Sequence, residues 1–281
     1  MTALWNNTKT ALLLGAMTGL FLGVGAMLGK QYILPFLFIG IFMNFGAWFF
    51  SDKIAIAAMR GRELDESTGA DLYRMVLRLS RRANLPMPKV YLCPHDAPNA
   101  FATGRNPRHA AVAVTQGAVQ LLDAQELEGV IAHELAHIKN RDTLTSAVAA
   151  TIAGVLALLA QWGFFLGAGN RQGGNPLVLI FVIIIAAVGA ALLKAAVSRS
   201  REFVADAQGA QIAGSPYGLM SALKKLDTYS RRIPLIQPNP AQNNLFIIEP
   251  LAGAHGRNTL ANIFATHPPT DQRIAALRKL A

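Results

Sequence analysis

The sequence predicts a mainly α-helical integral membrane protein with four transmembrane helices and a small β-sheet, and three observations carry that expectation. Of 281 residues, 52% are hydrophobic and only 15% are charged. The apolar residues collect in four runs that hold no charge: Ala11 to Gly29, Tyr32 to Phe50, Leu144 to Asn170 and Gly173 to Leu193. A polar stretch with short β-rich segments separates the second run from the third. A hydrocarbon core of about 30 Å needs about 20 apolar residues at 1.5 Å rise, and each run reaches that range. Such a composition argues against a purely soluble enzyme and against a disordered chain.

Residues 1–51 read as an N-terminal transmembrane hairpin. The first run exceeds the roughly 7 to 15 apolar residues of a signal peptide, and only Lys30 and Gln31 separate it from the second, so both are taken as retained. Gly15, Gly19 and Gly23 recur at four-residue spacing and predict a face that another helix approaches closely. Residues 52–143 form a first cytosolic part. There Thr68 to Asn84 is amphipathic, with Leu72, Met75, Val76 and Leu79 on one side, and Pro86 and Pro88 stop it. Lys89 to Cys93, Asn99 to Gly104 and Ala111 to Thr115 read as strands, the last two joined by a turn over Arg105 to His109. Asp123 with Glu126 three residues on starts a helix whose stripe of Leu127, Val130 and Ile131 runs to Ile138. Residues 144–196 read as a second transmembrane hairpin, although their Ala-rich and Gly-rich sequence also suits a hairpin buried in protein. Residues 197–281 form a second cytosolic part, opening with a helix from about Ser198 to Ala213. Ser215 and Pro216 look like the cap and first residue of another helix. Ile233 to Gly253 reads as either a flap or an irregular surface connection.

The formal charge of +10 is distributed as a membrane protein distributes it. Lys53, Arg60, Arg62, Arg74, Arg78, Arg81 and Arg82 follow the second run, and Lys194, Arg199 and Arg201 follow the fourth. Cytoplasmic flanks collect Lys and Arg, so both termini and the polar mass are placed in the cytosol, with the basic residues against anionic headgroups of the bilayer. Aromatic residues that would stack bases are missing from these segments, so no nucleic-acid partner is expected. The single cysteine, Cys93, reads as a small apolar residue at a strand end.

Chemistry enters in the helix after Asp123. His133, Glu134 and His137 stand there in the order His, Glu, two residues, His. Four residues turn an α-helix through about 400°, so the two imidazoles share a face one turn apart and can grip one ion. Glu134 lies about 100° round the helix, where a general base can reach a water on that ion without binding the ion itself. With six His in 281 residues, this spacing arises by chance on the order of a few times in a thousand such chains. A catalytic zinc takes three protein ligands, so one is still missing. Glu202 and Asp206, at i and i+4 of the Ser198 helix, offer a ligand and a carboxylate that holds an imidazole N–H. The same pair beside Arg199 and Arg201 also suits a solvated surface cluster, and spacing alone leaves both readings open. His95, His109 and His255 sit in loop-like contexts and read as solvated or locally hydrogen-bonded, and Lys194 as snorkelling to the interface.

These motifs resemble the HtpX family of heat-shock membrane zinc metalloproteases, in the gluzincin clan. The resemblance rests on His133 to His137, on Arg201 to Asp206, on Asn99 to Gly104, on Thr266 to Pro269 with Arg273, and on the layout of the spans. It implies a gluzincin-type metalloprotease domain holding one Zn2+ per chain. His133, His137 and Glu202 would be its ligands, Glu134 the catalytic base and Asp206 the carboxylate orienting a histidine. Asn99 to Gly104 would be an edge strand lining the substrate cleft. The implied protein is a multi-pass endopeptidase of the inner membrane that cleaves misfolded or damaged membrane proteins and unfolded polypeptides. His267 and Arg273 are its candidates for the oxyanion partner. The alternative is a non-proteolytic zinc-binding scaffold in a quality-control complex. A closed structural zinc site usually has four ligands, commonly with cysteine, and this chain offers one cysteine, far from the motif. A transporter is a weaker reading still, because no ionisable residue lies near the middle of any run.

Overall fold

A computed structural model of the chain describes residues 2–146, 148, 199–232 and 268–281. The third apolar run beyond residue 148, the fourth run, Lys194, Ile233 to Gly253, His255 and His267 lie outside the described residues. Helix α1 (Thr2–Leu28) contains a stretch, Leu4–Ala26, long and apolar enough to cross a bilayer. A 3-10 turn at Lys30–Tyr32 reverses the chain into α2 (Ile33–Phe49), which packs along α1. The 17 residues of α2 reach about 26 Å at 1.5 Å rise, a little under the hydrocarbon thickness. Among the described residues, therefore, one helix meets the length of a span. Leu34, Phe38, Phe42 and Phe45 are exposed on α2, an apolar surface suited to lipid.

The seam between α1 and α2 does not run through Gly15, Gly19 and Gly23. Among the described residues nothing comes within 4 Å of where a Cβ on any of the three would stand. The close approaches are at Gly25, where the backbone of Tyr32 and Ile33 and the Phe36 Cβ leave no room for a side chain, and at Gly40, beneath the Phe21 ring. Asn44 completes the seam, its Nδ2 donating to the Leu14 carbonyl at 2.9 Å and to Thr18 Oγ1 at 2.7 Å.

Phe50 alone separates α2 from α3 (Ser51–Ala58), which lies on one face of a four-stranded sheet. The strands are β1 (Arg62–Leu64), β2 (Lys89–Cys93), β3 (Ala100–Asn106) and β4 (His109–Thr115), in the order β1-β2-β4-β3. β2 and β4 are parallel and the outer pairs antiparallel. The three predicted strands thus form, and β1 and α3 are additions that the sequence pattern did not announce. The β3–β4 hairpin folds so that β4 takes the centre and β3 the edge. Composition explains the choice: in β4, Val112 and Val114 face the main core, while Ala111 and Ala113 face Ala55 and Ile56 of α3 and Met59 just beyond it. A strand buried on both faces belongs inside a sheet.

The other face carries α4 (Ala70–Ala83), the short α5 (Gln116–Leu121), and α6 (Ala124–Asn140). α4 ends as expected before Pro86, with Asn84 in the left-handed region at φ 55°. At the start of α6 the predicted capping box forms: Asp123 Oδ1 accepts from Glu126 N at 2.9 Å, and Glu126 Oε2 from Asp123 N at 2.9 Å. α6 is the central helix, packed against β3, α4, α7 (Arg199–Ala213) and α8 (Tyr217–Arg232). Its Val130, Ile131 and Leu135 are fully buried, each contributing about 1.5–3 kcal/mol. Helix α9 (Thr270–Arg278) closes the far side against α7 and α8. Cys93 is buried against α3, in the structural role expected of it, and burial pushes its thiol up to about 11.

Candidate functional site

The sequence places His133 and His137 on one face of α6, and the fold brings α7 across that face. Gly209 makes the crossing possible, since a Cβ there would stand 2.9 Å from the backbone of His133. Glu202 and Asp206 lie seven and three residues before Gly209, on the same side of α7, and both reach the imidazoles. His133 Nε2 and His137 Nε2 are 3.1 Å apart. Glu202 Oε2 stands 3.6 Å from His133 Nε2, and Oε1 stands 3.6 Å from His137 Nε2. The carboxylate pair read from the sequence is therefore buried in the site and is not a solvated surface cluster; Glu202 is 6% exposed and Asp206 1%.

What faces what is as informative as the distances. Asp206 Oδ1 lies 3.0 Å from His133 Nδ1, and Asp142 Oδ2 lies 3.1 Å from His137 Nδ1. Asp142 Oδ2 is within hydrogen-bond reach of His137 Nδ1 and Asp206 Oδ1 pairs with His133 Nδ1, so a neutral ring that keeps its proton on Nδ1 turns Nε2 inward as a lone pair. His133 Nε2, His137 Nε2 and the Glu202 carboxylate thus converge across 3.1 to 3.6 Å, with Arg273 Nη2 3.5 Å from His133 Nε2. Tetrahedral ligands at about 2.0–2.1 Å from a metal stand about 3.4 Å from each other, so the separations fit a bound ion.

Glu134 is 6% exposed, and its Oε2 accepts from the Ala102 N–H of β3 at 2.8 Å. That contact ties α6 to the outer edge of β3. Asn99 turns the other way, its carbonyl accepting from Thr115 N at 2.9 Å, so Ala100, Ala102 and Gly104 present their backbone groups outward. Arg273 of α9, 1% exposed, forms a bidentate pair with Asp206 through Nε at 2.9 Å and Nη2 at 2.6 Å, and its Nη1 lies 3.8 Å from Glu202 Oε2. Burial pushes Asp206 up, but the Arg273 guanidinium overrides it and holds the carboxyl at about 2. Burial pushes His133 down, and the hydrogen bonds to Asp206 and Glu202 override it, raising the imidazole to about 9. Of the two rings His137 is the more open, with 15% of its side chain exposed against 2% for His133.

Sequence reasoning missed Asp142. It follows His137 by five residues, just past a left-handed Arg141 at φ 60° that ends α6. Asking which group holds the second imidazole would have found it. His109 is locally hydrogen-bonded as expected, its Nδ1 meeting Asn106 Oδ1 at 3.0 Å, whereas His95 Nε2 meets the distant Met59 carbonyl at 3.1 Å.

Comparison with known proteins agrees with this chemistry. The profile of Peptidase family M48 matches residues 66–281. The Protease HtpX homolog of Desulforapulum autotrophicum is 48% identical over 282 residues, covering 97% of this chain and 89% of that protein. The Protease HtpX homolog of Sulfurihydrogenibium sp. is 46% identical over 290 residues, covering 98% of this chain and 96% of that one. Among solved structures, S. mikatae Ste24p shares the fold with a TM-score of 0.51 at 17% identity, over 94% of this chain and 62% of its own length. A donor set suited to a metal, in a chain this similar to named proteases along nearly its whole length, leads to one conclusion: the chain is a metallopeptidase and belongs to peptidase family M48.

Proposed function

We propose that this chain is a zinc-dependent endopeptidase of the inner membrane in which His133, His137 and Glu202 hold one Zn2+ and Glu134 moves the proton. The observation that carries the reading is the convergence of three ligand atoms within 4.8 Å, both outer ring nitrogens being engaged by carboxylates. Two imidazoles and one carboxylate form a catalytic set that leaves a fourth position for water or substrate. A zinc ion there supplies Lewis acidity, polarising a peptide carbonyl and lowering the pKa of a water toward about 7.

The chain's own residues do the rest. Ala102 N–H fixes one oxygen of Glu134, so the other is the one that accepts a proton from water and later passes it to the leaving amine. An extended substrate adds along the outer edge of β3, where Ala100, Ala102 and Gly104 turn backbone groups outward, and pairing of this kind is indifferent to most side chains. Arg273 keeps Asp206 charged and in place.

In this reading residues 1–51 and 144–196 are two membrane hairpins, and 52–143 and 197–281 are the halves of one cytosolic catalytic unit. The multi-pass layout, with termini on the cytosolic side, rests on the four apolar runs and their basic flanks. Misfolded membrane proteins and unfolded chains are the substrates such a site would meet. The test is Glu134→Gln. The variant is expected to bind Zn2+ with the affinity of the parent and to lose cleavage of casein by the detergent-purified protein by a factor of at least about 100. Retained cleavage would remove Glu134 from the reaction, and a parent protein that binds zinc without cleaving would favour the scaffold.

A further inference from the structure

The first turns of α1 carry a buried stripe of Asn6, Thr10, Leu13 and Met17, at 2%, 5%, 5% and 1% exposure. Its lower part is apolar, as the protein-facing side of a membrane helix usually is. Its upper end is an amide and a hydroxyl: Thr10 Oγ1 donates to the Asn6 carbonyl of its own helix at 3.0 Å, and the Asn6 amide is spent on the end of α6 and the residues just beyond it. Thr10 Oγ1 lies 2.9 Å from Thr145 Oγ1, and Thr145 Oγ1 donates to the Asn6 carbonyl at 3.3 Å. The Asn6 Nδ2 amide donates to the Asn140 carbonyl at 3.0 Å and to Asp142 Oδ1. Asp142 is the carboxylate whose other oxygen, Oδ2, receives His137 Nδ1.

We propose that Asn6 is a positioning residue of the metal centre: by holding Oδ1 of Asp142 it turns Oδ2 toward His137, so the N-terminal membrane helix is part of the machinery that orients a ligand. The inference rests on the zinc reading given above. A cation already waits on the far side of the same oxygen, since Arg201 Nη1 stands 3.6 Å from Asp142 Oδ1. An amide with two N–H groups fits between two acceptors and is anchored by the Asn140 carbonyl, so it fixes the carboxylate plane. Once that amide is removed, the cations left to pull on Asp142 are Arg201, already ion-paired with Oδ1 at 3.6 Å, and Lys9, and tightening toward them rotates Oδ2 away from the imidazole. His137 then loses the partner that fixes its tautomer and ring plane. Carboxylates in that position are worth about 10 to 100-fold in metal affinity, and a residue that acts through one sits at the lower end of that range.

The experiment measures the Zn2+ dissociation constant of the full-length protein in detergent by competition with a chelator, and thermal unfolding of the metal-free form. Asn6→Ala is expected to weaken Zn2+ binding about tenfold. Asn44→Ala, which breaks the α1–α2 seam far from the site, is expected to leave zinc binding unchanged. In an Asp142→Ala background, Asn6→Ala is expected to add nothing further. Where Asn6→Ala gives little folded protein, Asn6→Ser, too short to reach the carboxylate, replaces it with the same expectation. The proposal is overturned if Asn6→Ala binds zinc like the parent, if Asn44→Ala weakens binding equally, or if the losses at Asn6 and Asp142 add. A parent protein that binds no zinc would instead overturn the function proposed above.

Discussion

Substituting Gly209 tests whether the crossing of α6 and α7 sets the metal geometry. An alanine there would put a Cβ 2.9 Å from both Cα and N of His133. Carbon atoms settle at about 3.5–4.0 Å, so the two backbones must separate by about 0.6 Å or tilt to the same effect. No flexible side chain is available to give way, because the contact is backbone on one side. Overpacking of this kind costs about 1–3 kcal/mol, and the gain in helix propensity from Gly to Ala returns about 1 kcal/mol. The net loss of stability in the metal-free protein is thus small, at most about 2 kcal/mol. The ligand set is less tolerant, since metal bonds hold only within about 0.2 Å of their ideal lengths. A 0.6 Å shift moves Glu202 and Asp206 relative to both rings, so zinc affinity is expected to fall by about tenfold or more while thermal unfolding of the metal-free form changes little. Gln211→Ala, on the exposed side of the same helix, should change neither. Parental zinc affinity in Gly209→Ala would refute the claim that this close approach positions the ligands.

Two further outcomes follow from buried charge. Asp206→Ala strands the Arg273 guanidinium in the core and is expected to cost about 3–5 kcal/mol by chemical denaturation, with a loss of zinc affinity of about 10 to 100-fold. Adding Arg273→Met should restore much of the stability and none of the affinity. Glu126 joins α6 to α8 through Ser221 and Lys225, each at 2.6 Å. Burial pushes its pKa up, but the hydrogen bonds from Lys225, Ser221 and the Asp123 backbone bring it below the usual 4.5. A carboxyl depressed in the folded state contributes stability that is present above about pH 4.5 and is lost as pH falls through the lower folded value. Glu126→Gln is therefore expected to be less stable than the parent by about 1–3 kcal/mol at pH 7, with the gap narrowing in acid. A gap that stays constant from pH 7 to pH 3 would contradict the assignment.

The parts of this molecule that depend on neighbours in sequence were readable from it. The α6 capping box, the His133–His137 face and the stop of α4 before Pro86 each follow from spacings of three or four residues. What depends on the path of the chain was not. Glu202 could be placed in the site only through resemblance, because nothing local distinguishes a buried ligand from a surface carboxylate 65 residues away from His137. Asp142 was passed over because it follows a helix end and belongs to no periodic pattern. β3 was expected at an edge, yet the insertion of β4 between β2 and β3 is settled by burial on two faces, which requires α3. That helix was invisible because its eight residues bury only Ala55, Ile56 and, just beyond its end, Met59. Asn6 gave no signal at all, since it sits beside Asn7 in the short polar stretch ahead of the first apolar run, where nothing local marks one amide over the other.

The charges gathered around the imidazoles argue for a divalent ion independently of any ligand distance. Glu134, Glu202, Asp206 and Asp142 line the site, and all four are nearly inaccessible to solvent. Arg273 lies within 4 Å of Glu202 and Asp206, and Arg201 within 4 Å of Asp142. Among the described residues, four carboxylates face two guanidinium groups and the Lys9 ammonium that acts on Asp142, so negative charge is in excess where uncompensated charge is expensive. The rise of His133 to about 9 has the same origin, because the hydrogen bonds to the Asp206 and Glu202 carboxylates favour a proton on that ring. A dication placed where His133, His137 and Glu202 converge would supply positive charge on the side of the site that the guanidinium groups do not fill. Folding α7 and α9 onto α6 therefore builds a site that is incomplete as a protein core and complete as a metal centre.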